Sequence, residues 1–559
     1  MIPRSGARLL VDQLLIQGVN HLFCVPGESY LGVLDALHDD SGIRLIVNRH
    51  ESGSVFMADS YARLTGQPGV AFVTRGPGAS NAAIGVHSAR QDSVPLVLFI
   101  GQVGTDFSGR EAFQEIDYRQ MFGGVAKSVE QVERADRIPE VVARAFQCAA
   151  SGRAGPVVVA LPEDVLEQSA AVADARCHLP VQPAPSDTQV AALRGLLRQS
   201  RQPVVLLGGF GWTGAAQENL RRFVEANALP VACAFRFQDH FDNDHPSYIG
   251  EAGIGINPAL AQRIRSADLL LAIGVRLGEM TTSGYSLLEA PVPHQTLVHV
   301  HPGIEELGRV YQAQLMINAG MPQLAARLAT MMPMEDPVWK GHTGAARAEY
   351  EDWQQRPAVY QQHEPALDLW QVMHALRGFA PRDAIIANGA GNFSVWLHRF
   401  FRYGALGTQI APTSGCMGYG VPAAIGAKIT APEKTVICVT GDGDLMMTVQ
   451  ELATAVQYRA GVLFLVLNNA MYGTIRLHQE RRYPGRVTGT SLVNPDFVRL
   501  AQSFGMFGAR VADTAAFAPA CQEALAFIRE RRVPALIELA CDPDLLTPSA
   551  TVQALRANS

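Results

Sequence analysis

Between Thr435 and Asn469 two apolar runs, TVICVT (435–440) and VLFLVL (462–467), flank a single helical pattern. Leu445, Met446, Val449, Leu452, Ala453 and Val456 recur at helical spacing, and Gly461 stands where a C-terminal cap belongs. The segment reads strand, helix, parallel strand, and a right-handed crossover returns both strands in one direction. Asp442, between Gly441 and Gly443, and Asn469, closing an Asn-Asn pair, then share the carboxyl edge where open α/β sheets bind ligands. Neighbouring strand tips lie about 5 Å apart. A carboxylate, an amide oxygen and backbone carbonyls are hard donors, suited to Mg²⁺ or Ca²⁺ rather than zinc. The two glycines let the backbone approach closely and turn N–H groups toward an anion. On spacing alone, a magnesium diphosphate site and a purely structural turn both stand.

The same alternation of buried runs and helical patterns fills the chain, which predicts an α/β protein of parallel sheets covered by helices. HLFCV, IRLIV, GVAFVT, VPLVLFIG and GPVVVAL are the expected strands of a first block, with a helix over SVFMADSYARLTG. HLPVQPAPSDT (178–188) is a candidate linker. A second block carries PVVLLGG, LPVACAF, ADLLLAIG and TLVHVH, and a third carries AIIANGAG, TVICVTGDGD, VLFLVLNN and PALIELA. A chain of 559 residues is too long for one core. Domains are expected over 1–175, 188–335 and 360–545.

Composition narrows the function classes. Apolar residues make 48% and charged residues 18% of the chain, so it packs rather than staying disordered. A net charge of −6 and the lack of any Lys/Arg-rich run offer no field for nucleic acid. Eight isolated cysteines without a CxxC pair read as buried small hydrophobes of a reducing cytosol. The N-terminal MIPRSGARLLVDQLLIQGV reads as an amphipathic helix, and no apolar run reaches the ~20 residues of a membrane span. A cytoplasmic protein without nucleic acid or membrane partners is expected.

The GDG…NN spacing resembles the thiamine diphosphate-binding motif. NRHESGSVFMADSYARLTG (48–66), GPGASN (76–81), DSVPLVLFIGQV, EAFQEIDYRQMFGGVAKSV and GPVVVALPEDV follow in matching order. Together they resemble the acetolactate synthase-like family over essentially the whole chain. That resemblance implies a pyrimidine-binding domain, a central Rossmann-like domain and a diphosphate-binding domain. It further implies a cofactor held between two subunits, hence a homodimer or homotetramer; it does not say whether a regulatory subunit exists.

By the same match, Asp442 and Asn469 bind Mg²⁺ through side chains and Met471 through its carbonyl. Gly389, Gly391, Gly441, Gly443 and Asp444 border the diphosphate, where backbone N–H groups bind. Met417 is the apolar fulcrum that bends the cofactor. Glu51 shares a proton with the aminopyrimidine. A helix N-terminus favours its ionised form, so a proton-donating role asks for apolar surroundings. Phe113, Gln114 and Lys127 match residues near the substrate.

Three departures stand out. His478 occupies a position where biosynthetic relatives carry a tryptophan that selects the second substrate; it reads as a proton donor, an anion contact or a solvated residue. Arg476, Arg481 and Arg482 nearby suit an acidic substrate or a charged helix face. Phe393 stands where the group often has a phosphate-binding histidine. The central block lacks the paired aspartates of FAD-binding versions. Its Gly209, Gly211 and Gly214 form a GxGxxG after a strand, but no acidic residue ends the next one. FAD is therefore admitted by resemblance but not expected to be required.

The implied activity is decarboxylation of a 2-oxo acid and transfer of the resulting enamine to a carbonyl acceptor. Alternatives are a simple 2-oxo acid decarboxylase, disfavoured by the lack of a His-His dipeptide, a flavin-dependent oxidase, and a catalytically silent cofactor-binding homologue.

Overall fold

The computed structural model describes residues 2–39, 42–361 and 363–557. Three six-stranded sheets, all parallel within themselves, organise it as an α/β fold. The first holds β1 (His21–Cys24), β2 (Arg44–Val47), β3 (Gly69–Val73), β4 (Leu96–Gln102), β5 (Ser128–Gln131) and β6 (Pro156–Pro162). Their order is β2-β1-β3-β4-β6-β5. The second holds β7 (Pro203–Leu207), β8 (Val231–Ala234), β9 (Tyr248–Ala252), β10 (Leu269–Ile273), β11 (Thr296–His301) and β12 (Leu315–Asn318). Its order, β9-β8-β7-β10-β11-β12, is that of dinucleotide-binding folds. The third holds β13 (Ile385–Asn388), β14 (Gln409–Ile410), β15 (Val436–Gly441), β16 (Val462–Asn468), β17 (Phe507–Val511) and β18 (Ala535–Ala540). It runs β14-β13-β15-β16-β18-β17, repeating the first sheet's order.

Central strands are apolar without alternation because helices cover both sheet faces. All seven residues of β4 and all seven of β6 are buried. Five strands, β5, β9, β12, β14 and β17, escape the apolar-run reading, and each is an edge strand. β5, SVEQ, is half-buried throughout, so burial never demanded an apolar run there.

The chain divides into two compact units. One comprises Met1–Val181, Pro422–Pro432 and Thr448–Ala460; the other comprises Gln182–Val421, Glu433–Met447 and Gly461–Ser559. The first sheet lies in the first unit, and the second and third sheets lie in the second. The expected linker is tethered at its start: His178 is buried, and its N–H donates to Gln17 Oε1 over 2.8 Å.

Three sequence expectations need correction. The helix expected across Leu445–Val456 is two short ones, Asp442–Leu445 and Glu451–Gln457. Met446, read as part of the apolar stripe, is 41% exposed between them. The second helix closes at Tyr458, with Arg459 in the left-handed region at φ +52°, and not at Gly461. Gly461 serves packing instead, since a Cβ there would lie 2.8 Å from Ile528 Cγ2. Of the cysteines, Cys24, Cys233, Cys438 and Cys521 are buried, but Cys177 is exposed and Cys148, Cys416 and Cys541 are half-buried. Among the described residues no helix is long and apolar enough to cross a membrane.

Candidate active site

In the third sheet the strand order reverses between β13 and β15, so their carboxyl ends open a crevice. A cavity of about 230 Å³ fills it, lined by the loops after β13, β15 and β16 and by Met417. Gly441 pairs with Leu467, which sets Asp442 and Asn469 within a residue of the same level along the two strands. Asp442 is buried, and burial raises its carboxyl above the usual range while the Asn494 amide, donating to Oδ2 over 2.7 Å, opposes the shift. Asn469 Oδ1 accepts from Met471 N over 3.2 Å. The Met471 carbonyl accepts from Gly473 N over 2.9 Å, which leaves its second lone pair for a cation. One carboxylate, one amide oxygen and one carbonyl therefore face one cavity, a donor set that fits Mg²⁺.

The same cavity also presents donors. Gly391 and Asn392 line it, and Asn392 Oδ1 accepts from the Thr474 hydroxyl over 2.9 Å. Asn392 Nδ2 is buried without a partner, an orphaned donor at a place where a phosphate oxygen fits. Phe393 packs against the glycines: a Cβ on Gly391 or Gly441 would come within 2.8 or 2.9 Å of its ring. Its aromatic ring thus holds the loop closed on strand β15, and the donor in this loop is Asn392.

Asp444 works one layer deeper. Its Oδ1 accepts from Gly418 N at 2.8 Å and Ala390 N at 3.2 Å, and Oδ2 accepts from Thr440 Oγ1 at 2.7 Å. The carboxylate thereby ties the loops on either side of the cavity together, and burial pushes it up to about 6. Gly389 must be glycine, since a Cβ there would lie 2.2 Å from Asp444 Oδ2. Gly443 faces Tyr472 in the same way at 2.7 Å. Arg236, buried at φ +64°, donates to the carbonyls of Gly389, at 2.9 Å, and Pro412, fixing the loop from behind.

In the first unit, Glu51 opens the helix Glu51–Thr65 directly after β2. It is 9% exposed, and Asn81 Nδ2 donates to its Oε2 over 2.9 Å. A Cβ on Gly78 would come within 3.4 Å of Oε1, so GPGASN supplies both close approach and donor. Phe113 is 72% exposed, and Gln114, at φ +65°, gives its carbonyl to Gly76 N over 3.0 Å. The Lys127 ammonium is held by the carbonyls of Cys148 and Ser151, each at 2.6 Å, neither of them a site residue. His478 is exposed on the helix Gly473–Arg482 of the second unit, while Arg476 is paired with Glu480 at 2.7 Å. Asn81 lies inside GPGASN and Asn392 directly follows AIIANGAG; Asn494 and Arg236 lie outside these segments and are brought in by the fold.

The central sheet accounts for Gly209 without a nucleotide. A Cβ on Gly209 would lie 2.0 Å from the Gly274 carbonyl, so its φ of +76° serves a backbone crossing. Thr213 Oγ1 caps the helix Gly214–Ala226 by accepting from Ala216 N, and Trp212 Nε1 donates to Gly208 O over 2.9 Å. The cleft beyond β10 and β11 measures about 60 Å³ and is crossed by an Arg276–Glu306 pair at 3.3 Å.

Three family models match the chain in order. They are the N-terminal TPP binding domain of thiamine pyrophosphate enzymes over residues 4–121, the central domain over 190–328 and the C-terminal TPP binding domain over 389–539. The chain thus belongs to the thiamine pyrophosphate-dependent enzymes. The acetolactate synthase isozyme 3 large subunit of Escherichia coli K12 is 33% identical over 95% of this chain and 93% of its own length. The isozyme 2 large subunit of the same organism is 31% identical over 91% of each. The large subunit from Parasynechococcus marenigrum is 32% identical, over 91% of this chain and 84% of that protein. Within the class, the chain is a member of the acetolactate synthase-like family.

Proposed function

We propose that this enzyme decarboxylates a 2-oxo acid and transfers the remaining carbon fragment to a carbonyl acceptor, with its thiamine diphosphate anchored through Mg²⁺. The observation that carries the reading is one cavity lined both by oxygen donors for a cation and by an orphaned amide donor with glycine backbone. Bound thiamine diphosphate supplies a carbon nucleophile that adds to the oxo group and takes up the electron pair freed as CO₂ leaves.

The chain's residues do the rest. Asp442, Asn469 and Met471 hold the metal. The N–H groups of Gly389 and Gly391 and the Asn392 amide hold the diphosphate, and Met417 props the cofactor from the cavity wall. Asn81 engages Glu51 Oε2 and leaves Oε1 to exchange a proton with the aminopyrimidine. Phe113, Gln114 and His478 are the proposed substrate-side residues; Lys127, bound by two carbonyls, has less freedom for that role. No step is assigned to FAD; the cleft beyond β10 and β11 is bridged by the Arg276–Glu306 pair. The proposed assembly is a homodimer or homotetramer in the cytoplasm. The relatives' names make them large subunits; no second kind of chain is assigned here.

The test is incubation of purified protein with thiamine diphosphate, Mg²⁺ and a panel of 2-oxo acids, following CO₂ and carbon-carbon-bonded products. Glu51→Gln should lower turnover at least about 100-fold. Aldehyde as the only product would sink the transfer step, and absence of CO₂ from every donor would sink the reading. A flavin band in the absorbance spectrum would overturn the assignment without FAD.

A further inference from the structure

We infer that Glu451 is a positioning residue for Glu51: a buried carboxylate that fixes the backbone turn from which the Glu51 helix starts. The inference rests on the proton-exchanging role proposed for Glu51.

Glu451 is fully buried at the start of the helix Glu451–Gln457, in the same compact unit as β2 and the Glu51 helix. Its Oε1 accepts the backbone N–H groups of Arg49, at 3.0 Å, and His50, at 2.9 Å. Its Oε2 accepts from Asn48 Nδ2, at 3.2 Å, and from Thr454 Oγ1, at 2.7 Å. Burying a carboxylate is costly, and four donors are what such a group requires. Three of the four come from the residues immediately before Glu51.

β2 ends at Val47 and the helix begins at Glu51, with Asn48 to His50 forming the bend between them. Asn48 N still donates to Cys24 O over 2.8 Å and His50 O accepts from Ser54 N over 3.2 Å, while the N–H groups of Arg49 and His50 turn to Glu451. Two further bonds from the same helical segment flank the carboxylate: Tyr458 Oη accepts from Val47 N over 2.7 Å, and Gln457 Oε1 accepts from Arg49 Nη2 over 2.6 Å. Gly53, one turn into the Glu51 helix, is shaped for the same contact, since a Cβ there would lie 2.5 Å from Glu451 Oε1. A glutamine at 451 keeps the volume but offers one oxygen. Its amide would face either the two backbone N–H groups or the Asn48 and Thr454 donors, and in both arrangements the N–H groups lose the charged acceptor that holds them. Misplacement of a reacting group by about 1 Å costs on the order of 100-fold in rate.

The experiment compares wild type, Glu451→Gln and Glu51→Gln as full chains. Amide hydrogen exchange across residues 47–56 is read without cofactor, and exchange of the thiazolium C2 proton and cofactor affinity are read with thiamine diphosphate and Mg²⁺. Expected for Glu451→Gln are amide protection at Arg49 and His50 reduced about tenfold or more and C2 exchange slowed about 10- to 100-fold, with cofactor affinity retained. Unchanged protection overturns the inference. So does lost protection with wild-type C2 exchange, or a loss of cofactor affinity that accounts for the slowing. If Glu51→Gln slows exchange and Glu451→Gln does not, this inference alone falls; wild-type exchange in Glu51→Gln removes the Glu51 reading and this one with it. Should Glu451→Gln fail to fold, Thr454→Val, which removes one donor to Oε2, must show the same pattern in weaker form.

Discussion

The side-chain amide of Asn494 donates to the Asp442 carboxylate over 2.7 Å and, from the same nitrogen, to Asn468 Oδ1 over 3.0 Å. It thereby fixes one oxygen of the proposed metal ligand and leaves the other to the cation. Outer hydrogen bonds of this kind are worth about 10- to 100-fold in metal affinity. Asn494→Ala should weaken Mg²⁺ activation by that factor with the fold intact. Wild-type Mg²⁺ dependence would count against the assignment.

Ligand binding must also register as stability. At about 100 times its dissociation constant, a cofactor bound only by the folded state adds ~2.7 kcal/mol. Thiamine diphosphate with Mg²⁺ should raise the melting temperature, and EDTA or Asp442→Ala should abolish the rise. A shift that survives both would place the diphosphate elsewhere.

Glu251 gives a pH signature. Its carboxyl is largely buried, and burial pushes it from 4.5 up to about 7, against the Arg236 N–H that donates to it over 2.6 Å. His398, 4.0 Å away, is held well below its ordinary value by burial and stays neutral, while Glu251 keeps its proton below about pH 7. The folded state holds the Glu251 proton where the unfolded chain has released it. This contribution is therefore complete below pH 4.5 and is lost as pH rises through about 7, by about 3 kcal/mol. Denaturant titrations of Glu251→Gln should show less loss of stability between pH 5 and 8 than wild type. Parallel curves would refute the prediction.

Arg236 answers two buried carbonyls, Gly389 and Pro412, with one planar guanidinium. Arg236→Met should cost about 2 to 3 kcal/mol and loosen the 389–391 loop, lowering cofactor affinity. Lysine should not restore it, since an ammonium cannot reproduce the fork. Full rescue by lysine would mean that charge alone matters.

How far the chain could be read beforehand depended on burial. Strands covered on both faces, such as β4, β6, β15 and β16, had to be apolar and so declared themselves. The edge strands, β5 and β17 among them, had no such need and stayed silent. Asp442 and Asn469 were legible because they cap runs of that buried kind. Asn494, Arg236 and Glu451 were not, because single polar residues far away in sequence carry no periodic signal before folding brings them to a carbonyl, a carboxylate or a bend. The helical pattern over Leu445–Val456 misled for a related reason: apolar spacing does not reveal that the chain turns over Met446–Gln450 between two short helices.

The bond from Arg49 to Glu451 spans 402 residues. The bend before Glu51 therefore leaves the ribosome without the carboxylate that shapes it. At roughly 5 to 20 residues per second, the wait lasts roughly 20 to 80 seconds. Once Pro162 is made, the nascent first unit has every strand of its sheet but not the helix Glu451–Gln457 that belongs to it. Maturation of the Glu51 site is thus a late event of synthesis, and a chain truncated before residue 448 would carry the motif but not its support.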